Sequence, residues 1–254
     1  MAMEKTTENS LVRALDRGLL ILDAFIANRV QSLSQIAQVV DIPKSTTHRL
    51  LMTLQSRGYV ISVDGENGVY KLGVKGLWFT SARNRIHRQL QMLQTVTGET
   101  ANFGAVTGNE VEYIDRVISD HALRWGVDIG SRIEMHCSGM GKAVLAYRED
   151  LVPGSATFPK RTGRSISDLV ELRAQFAVIR HYGFAFDDEE FIDGVFCIAA
   201  PIRDETGLVI GAVSVSGPSV RFTREVAMSH GSRLLAAAKA ISDALGHADE
   251  EEVE

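Results

Sequence analysis

Two groups of polar residues in the sequence combine side-chain types and spacings that suit binding chemistry. The first group lies at the start of a segment with helical periodicity and comprises Lys44, Ser45, Thr46, His48 and Arg49. In a helix, the middle of this group projects away from an apolar stripe centred on Leu51, with Lys44 and Thr46 on the flanks. An arginine fork can pair with the acceptors of a guanine edge, and hydroxyls at a helix N-terminus can take phosphates. The pattern favours a helix that reads the DNA major groove, although any solvated helix also carries a polar face.

The second group begins at a run of small residues that opens another helical segment. Residues 137–141 read CSGMG and include Ser138, Gly139 and Met140. Free amides at a helix start, with no bulky side chains over the glycines, make a receptor for an anion such as a carboxylate. Glycines also simply permit tight turns, so this run alone does not define a site.

Polar residues farther along the chain strengthen the second group. Ser214 and Ser216 point to one face of a predicted strand, because strand side chains alternate, and Cys197 lies on the neighbouring strand. An acidic run at 187–190 lies just upstream; such runs are usually solvated, but one carboxylate, Asp187, could accept a hydrogen bond from a ligand. Buried hydroxyls need partners, and a small molecule can supply them.

An enzyme is the alternative for the same residues, as a cysteine-dependent hydrolase of small molecules. Cys137 adjoins His136, but neighbouring side chains on a strand face opposite ways, so this pair cannot form a dyad. Pairing of Cys197 with His181 or His230 stays open. The histidines and cysteines have no spacing typical of metal ligands, so we expect neither a metal nor a cofactor.

The DNA-reading helix must be positioned by a helix-turn-helix over Ser34 to Tyr59. Ile36, Ala37 and Val40 mark the buried face of its first helix, and residues 41–43 break one helical pattern and start the next. A third helix is predicted from Ser10 to about Ala27. One face of this helix is marked by the recurring residues Leu11, Leu15, Leu19, Leu22 and Ile26.

A β-hairpin is predicted directly after this motif. Tyr59 to Val63 and Val69 to Leu72 flank the loop of Asp64 to Gly68, which is typical of a wing. Lys71 is a candidate phosphate contact on the wing. A helical pattern from Val74 to about Thr95 then follows.

The rest of the chain predicts an α+β domain with helices packed on an antiparallel sheet. Its predicted strands are 102–107, 110–117, 122–127, 132–137, 195–203 and 208–216. Its predicted helices begin at the small-residue run, at Ser167 with a stop at Gly183, and at about Thr223 with an end near Leu245.

The balance of charged residues also differs between the N-terminal part of the chain, which holds the helix-turn-helix, and the rest. Residues 1–90 hold 12 Lys and Arg against 7 Asp and Glu, whereas residues 91–254 hold 15 against 25. A cationic module joined to an acidic one favours nucleic-acid binding by the first. The two cysteines, with no predicted secretory signal or membrane span, favour a cytoplasmic protein.

Eight sequence blocks, in order along nearly the whole chain, resemble those of the IclR family of bacterial transcriptional regulators. They are SLVRALDRGLLILDAF, SLSQIAQVVDIPKSTTHRLLMTLQSRGYV, YKLGVKGL, GETANFGAV, EYIDRV, HCSGMGKAVLA, HYGFAFDDEEFIDGVFCIAAPIRDETG and AVSVSGP. The sequence departs from the family's usual residues at Asp41, where glycine is frequent, and at Thr47, where an apolar residue is. Met140 also stands where Ala or Leu is frequent, which alters the expected shape of the cavity.

The resemblance implies an α+β protein whose operator binding is controlled by a small organic acid or related metabolite. It implies a winged helix-turn-helix domain (1–73), a linker helix (74–95) and a GAF-like effector-binding domain (96–246). The acidic composition of residues 247–254 separately predicts a disordered tail. The expected partners are a double-stranded DNA operator, the effector and further copies of the chain, as a homodimer or a dimer of dimers. The effector contacts implied by the family's motifs are Gly139, Met140, Asp187, Cys197, Ser214 and Ser216, next to Ser138 at the helix start.

Overall fold

The computed structural model describes residues 12–27, 30–63, 68–77, 82–152, 154–155 and 157–246. The chain divides into two compact units, Met1–Arg83 and Asn84–Glu254. The predictions for Ser10, for the tip of the wing loop and for the acidic tail fall outside the described residues. Within the described part, no helix is both long enough and apolar enough to cross a bilayer.

The first unit has the element order predicted for a winged helix-turn-helix. Its elements are α1 (Arg13–Ala27), β1 (Val30–Ser32), α2 (Leu33–Val39), α3 (Lys44–Ser56), β2 (Val60–Ser62), β3 (Val69–Leu72) and α4 (Val74–Leu77). The wing strands β2 and β3 pair antiparallel as expected. The sequence did not predict β1, which pairs with the other edge of β3 and completes a three-stranded sheet.

The turn between α2 and α3 explains the two unusual residues of the motif. Asp41 has a φ of 51°, a left-handed conformation that glycine adopts most easily and that aspartate tolerates better than most residues. Thr47 is fully buried, and its hydroxyl donates to the carbonyls of Ile42 and Pro43, each at 3.2 Å. Both residues are therefore compatible with the helix-turn-helix.

The predicted apolar face of α1 packs into the core only in part, through the half-buried Leu22. Leu15 and Leu19 are 63% and 52% exposed, whereas Ile21, Ala24 and Phe25 form the buried face. Residues 19–22 are all apolar, so the helix carries two neighbouring apolar lines. Periodicity finds both lines but does not show which one packs on α2 and α3.

The second unit is built on one antiparallel sheet of six strands in the order β6-β5-β4-β9-β8-β7. The strands are β4 (Thr100–Thr107), β5 (Glu110–Val117), β6 (Arg132–Glu134), β7 (Ala185–Asp188), β8 (Val195–Arg203) and β9 (Val209–Pro218). The helices are α5 (Ala82–Thr97), α6 (Gly139–Leu145), α7 (Leu169–Tyr182), α8 (Arg224–Ser229) and α9 (Gly231–Ala244), with a short 3₁₀ turn at Glu149–Leu151. α6 and α7 share one hydrophobic core with the sheet, built around Ala199, Ala212 and Phe176.

Most predicted elements of the second unit are confirmed. The hairpin of β4 and β5 turns at Gly108, whose φ is 62°, and α7 ends at Gly183, whose φ is 79°. The predicted final helix is interrupted at His230, between α8 and α9.

Three predictions for the sheet need correction. Residues 122–127 do not form a strand, because side chains rather than a neighbouring ladder bind this backbone: Thr100 Oγ1 donates to the carbonyl of Trp125 at 2.7 Å. The strand predicted at 132–137 stops after Glu134, where the chain turns toward α6. The acidic run begins within β7, an edge strand that the sequence did not predict.

Candidate binding sites

The first candidate site is the outward side of α3. Lys44, Ser45, His48 and Arg49 are exposed and Thr46 is half-buried, while the opposite side buries Thr47 and Leu51. The helix therefore presents the predicted polar residues together at its N-terminal end. This exposure meets the geometric requirement for a groove-reading helix.

Lys71 does not share this arrangement. It lies in β3, the central strand of the small sheet, and is only 7% exposed. A phosphate contact needs an accessible ammonium group, so burial argues against the predicted role of Lys71 in binding DNA.

The second candidate site lies on the large sheet, where strand register aligns the predicted polar residues. Asp187 pairs with Cys197 across β7 and β8, and Cys197 pairs with Ser216 across β8 and β9. Ser214 lies two residues from Ser216 and so points to the same face; its hydroxyl accepts a hydrogen bond of 3.3 Å from Asn102 Nδ2. Side chains from three strands thus meet on one face.

This face forms the wall of a pocket that contains all seven predicted ligand residues. The lining comprises Tyr113, Trp125, Ile133, Ser138, Gly139, Met140, Asp187, Phe191, Ile192, Val195, Cys197, Ser214 and Ser216. The empty space, with its mouth, is about 330 Å³. Part of this space is open solvent, so the enclosed part is small and suits a ligand of few heavy atoms.

The start of α6 forms another side of the pocket. Ser138 caps the helix: its hydroxyl accepts from the Gly141 amide at 3.2 Å and donates to the Glu134 carbonyl at 2.6 Å. The Ser138 side chain is therefore committed to the fold, whereas the first two amides of a helix have no intrahelical partner. A Cβ on Gly139 would lie 3.1 Å from Cys197 Sγ, so glycine keeps this part of the pocket open.

The two glycines of the run have different roles. A Cβ on Gly141 would lie 2.2 Å from Cα of Met135, closer than atoms can approach. Gly141 therefore allows α6 to pack directly on the preceding backbone, while Gly139 leaves space for a ligand.

Asp187 dominates the electrostatics of the pocket. Its Oδ1 accepts hydrogen bonds from the amides of Glu190 (2.8 Å) and Phe191 (3.2 Å). Burial, which disfavours the charged form, raises the pKa of Asp187 to about 7, and nearby Lys142 opposes this rise. The carboxyl group is thus poised between its two protonation states near neutral pH.

The acidic run divides into buried and outer residues. Glu190 is buried and receives a hydrogen bond from the ammonium of Lys142, which is fully buried and also donates to Gln175 Oε1 at 2.9 Å. Asp188 instead faces outward and pairs with Arg164 and Arg224. The expectation of a solvated run holds only for part of it.

The cysteines are not suited to nucleophilic chemistry. Burial raises the pKa of both thiols, Cys137 and Cys197, to about 12, which disfavours the reactive thiolate. The Cys197 thiol donates to the Ile198 carbonyl at 3.6 Å, and the lining described above contains no histidine that could serve as a base. Among the described residues, no cluster of His, Cys, Asp and Glu is suited to a metal ion.

Six lining residues were missed from the sequence: Tyr113, Trp125, Ile133, Phe191, Ile192 and Val195. Tyr113 could have been found by strand alternation on β5, had the register with β4 been known, because it pairs with Gly104. Trp125 lies in the segment wrongly predicted as a strand. No pattern in the sequence places Phe191 and Ile192 over the pocket.

The sequence matches two family profiles. Residues 14–63 match the IclR helix-turn-helix domain, and residues 80–243 match the bacterial transcriptional regulator IclR C-terminal domain. Together the two profiles span both units of the fold.

Whole-chain comparisons agree with the profiles. The chain is 35% identical to the transcriptional repressor IclR of Escherichia coli, over 92% of this chain and 90% of that protein. It is 35% identical to the HTH-type transcriptional regulator BhcR of Paracoccus denitrificans, over 84% of this chain and 80% of that one. The crystal structure of Thermotoga maritima IclR aligns with a TM-score of 0.63 at 26% identity, covering 93% of this chain and 100% of that chain.

Proposed function

Because the chain belongs to the IclR family of bacterial transcriptional regulators, we propose that it binds a DNA operator through α3 and that a small organic acid in the pocket controls this binding. The family consists of transcriptional regulators, not enzymes. In this proposal residues 1–73 bind DNA in the cytoplasm, 74–95 form the linker and 96–246 bind the effector of a catabolic operon. The single observation that carries the effector part is the pocket, whose lining gathers polar residues from β7, β8, β9 and the start of α6.

Operator binding is supported by the exposed polar end of α3. Arg49 supplies a fork for a base edge, while Lys44 and Ser45 supply donors for phosphates close to the helix start. Family members assemble from several copies, and two copies of α3 spaced about 34 Å apart would read successive major grooves on one side of the duplex. We therefore propose a homodimer, or a dimer of dimers, on DNA.

The polar groups of the pocket support a small organic acid as the effector. Ser214 and Ser216 offer hydroxyl donors, the start of α6 offers backbone amides, and Asp187 can hydrogen-bond a hydroxyl or carboxyl group of the ligand. Because α6 has only seven residues, its dipole alone would not define the ligand. The aromatic and aliphatic lining at Trp125 and Phe191 suits a short carbon skeleton.

Control of DNA binding would follow from a shift between two arrangements of the oligomer. An effector that binds one arrangement tenfold more tightly changes their equilibrium by about 1.4 kcal/mol. That change alters the population in which both copies of α3 match the operator spacing.

The proposal is tested by a thermal-shift panel followed by operator titration. The panel contains acetate, glycolate, glyoxylate, lactate, pyruvate, succinate and benzoate, each with its uncharged amide, at pH 6. A bound acid at about a hundred times its Kd should stabilise the folded state by about 2.7 kcal/mol. The same acid should change operator affinity in a gel-shift titration by about tenfold. No stabilisation by any acid would refute the effector class, and stabilisation without a change in operator affinity would refute the control.

A truncation of Met140 is expected to change which acids bind. Met140 is 2% exposed and fills the pocket wall, with its Sδ 3.0 Å from where a Cβ on Gly104 would lie. Met140→Ala should enlarge the pocket, so that the panel's response moves from the smallest acids toward succinate and benzoate. The lost packing should lower the free energy of unfolding by about 2–4 kcal/mol.

Met140→Leu serves as the control for this experiment, because it keeps the side-chain volume. It should keep the wild-type order of acids at a cost below about 1.5 kcal/mol in stability. An unchanged order of acids in Met140→Ala would show that Met140 does not limit the size of the ligand.

A further inference from the structure

We propose that the pocket takes its acid together with a proton, which is held on Asp187 and shared with the carboxylate of the ligand. This inference rests on the proposed function and adds a regulation to it: the effector would be sensed jointly with pH. The step is a simple proton uptake, in which a proton from solvent forms an O–H bond with the Asp187 carboxylate and that group then donates to a ligand oxygen.

The first observation concerns the charged side chains that line the pocket. Its lining includes neither lysine nor arginine, yet it includes Asp187. Two carboxylates in contact within a buried site cannot both remain ionised without a large cost, because like charges raise each other's pKa. A carboxylate ligand therefore needs either a positive partner or a proton.

The closest candidate for a positive partner is already engaged. Lys142 is 0% exposed and lies behind the lining, where its ammonium donates to Glu190 and Gln175. Glu190 has an oxygen, Oε2, that is buried without a hydrogen-bond partner in the described part of the chain. The Lys142 ammonium is thus engaged by Glu190 and Gln175, and Lys142 is not among the lining residues that would contact a ligand directly.

The second observation is that Asp187 cannot easily turn away. Its Oδ1 is fixed by two backbone amides of the loop after β7, and its own strand pairs with β8 beside Cys197. Within the described residues, no hydrogen bond reaches its other oxygen, Oδ2. Oδ2 is the atom that can carry the proton and donate it to a ligand.

Burial also changes the pKa values of other ionisable groups around Asp187. Burial raises the pKa of Cys197 on β8 and of Cys137 before α6 to about 12, and it raises the pKa of Tyr113 on β5 still further. Lys142 on α6 favours the ionised form of Asp187, whereas Glu190, with its pKa also raised by burial, disfavours it. With the pKa of Asp187 at about 7, the cost of protonating it near neutral pH is small.

The sign of the pH effect follows from this value. Well below pH 7 Asp187 is already protonated, so an acid binds without proton uptake and its affinity is independent of pH. Well above pH 7 each binding event must draw a proton from solvent, and the affinity should fall by a factor that approaches about ten per pH unit.

Isothermal titration calorimetry on the full-length protein tests this inference. Every acid of the panel is titrated at pH 6, 7 and 8, in two buffers with different ionisation enthalpies, and proton uptake is read from the buffer dependence of the measured heat. We expect uptake to be small at pH 6 and to approach one proton at pH 8, with about tenfold weaker binding at pH 8 than at pH 6. The corresponding amides should show neither effect.

Two variants assign the proton to a residue. Asp187→Asn keeps an oxygen for the two backbone amides and offers a fixed N–H donor, so it should bind acids with an affinity independent of pH. Asp188→Asn is the matched control, because Asp188 lies on the outer side with Arg164 and Arg224 and should keep the wild-type pH dependence.

Each outcome is decisive. Acids that bind with no proton uptake and a constant affinity from pH 6 to 8 overturn the inference while leaving the proposed function intact. A pH dependence that persists in Asp187→Asn places the proton elsewhere and also overturns it. If Asp187→Asn does not fold, the comparison of acids with amides in the wild type still decides whether a proton is taken up. Absence of binding by every acid, even at pH 6, refutes the proposed effector class, and the inference falls with it.

Discussion

Arg49→Ala is expected to reduce affinity for the operator by about ten- to a hundredfold, because a bidentate contact from arginine to guanine is worth about 1–3 kcal/mol. The side chain is exposed on the outer side of α3, so its removal should leave the fold and the binding of acids unchanged. Gel-shift titration with operator and with unrelated DNA of equal length measures the change. Affinity for unrelated DNA should fall much less, since contacts to phosphates carry no sequence information.

Arg57→Ala is the control within the same motif. Arg57 is also exposed, but it lies just after the last turn of α3, at the end opposite to Lys44. The helix between them is thirteen residues long. Loss of the Arg57 side chain should reduce affinity for operator and unrelated DNA by the same small factor. Equal losses of specificity in both variants would show that α3 does not read bases through its N-terminal end.

Gly141→Ala is expected to destabilise the second unit by about 3 kcal/mol or more, because overpacking against rigid backbone has few ways to relax. The added methyl group would lie 2.2 Å from Cα and 2.4 Å from the carbonyl oxygen of Met135. A flexible side chain could move aside, but here a strand-to-helix connection must shift. Thermal unfolding should show a midpoint lower by about 10 °C for a unit of this size.

Gly139→Ala tests whether this glycine of α6 provides space for the ligand, in contrast to Gly141, which allows close packing. Its methyl group would meet the Cys197 sulfur at 3.1 Å and two Cβ atoms at 3.5 Å, distances that small shifts can accommodate. We expect a stability loss of less than about 1.5 kcal/mol together with weaker binding of acids, since the methyl group occupies the pocket. Similar stability losses in both variants would contradict the division of roles between the two glycines.

The sequence predicted the elements of the fold better than the relations between them. Alternation on β9 placed Ser214 and Ser216 on one face, and the glycine run correctly marked the start of α6. The position of Cys197 opposite Asp187 depends on the register between β7 and β8. Register is set by long-range pairing and leaves no local periodic signal.

Burial was the property that local patterns predicted least well. The run 187–190 looks uniformly charged, yet Asp187 and Glu190 are buried while Asp188 pairs with surface arginines. Lys71 and Lys142 are buried lysines that a propensity argument assigns to solvent. In each case the surrounding fold supplies partners that the neighbouring residues in sequence do not reveal.

Asp187 lies in a short edge strand of the sheet, so the binding of a ligand to Asp187 affects the stability of that edge. β7 has four residues and is joined by ladder hydrogen bonds to β8 alone. Detaching such a strand breaks fewer bonds than detaching β9, which is held from both sides. A ligand bound to Asp187 therefore stabilises an edge of the sheet, so that filling the pocket slows local opening there more than in the sheet's interior.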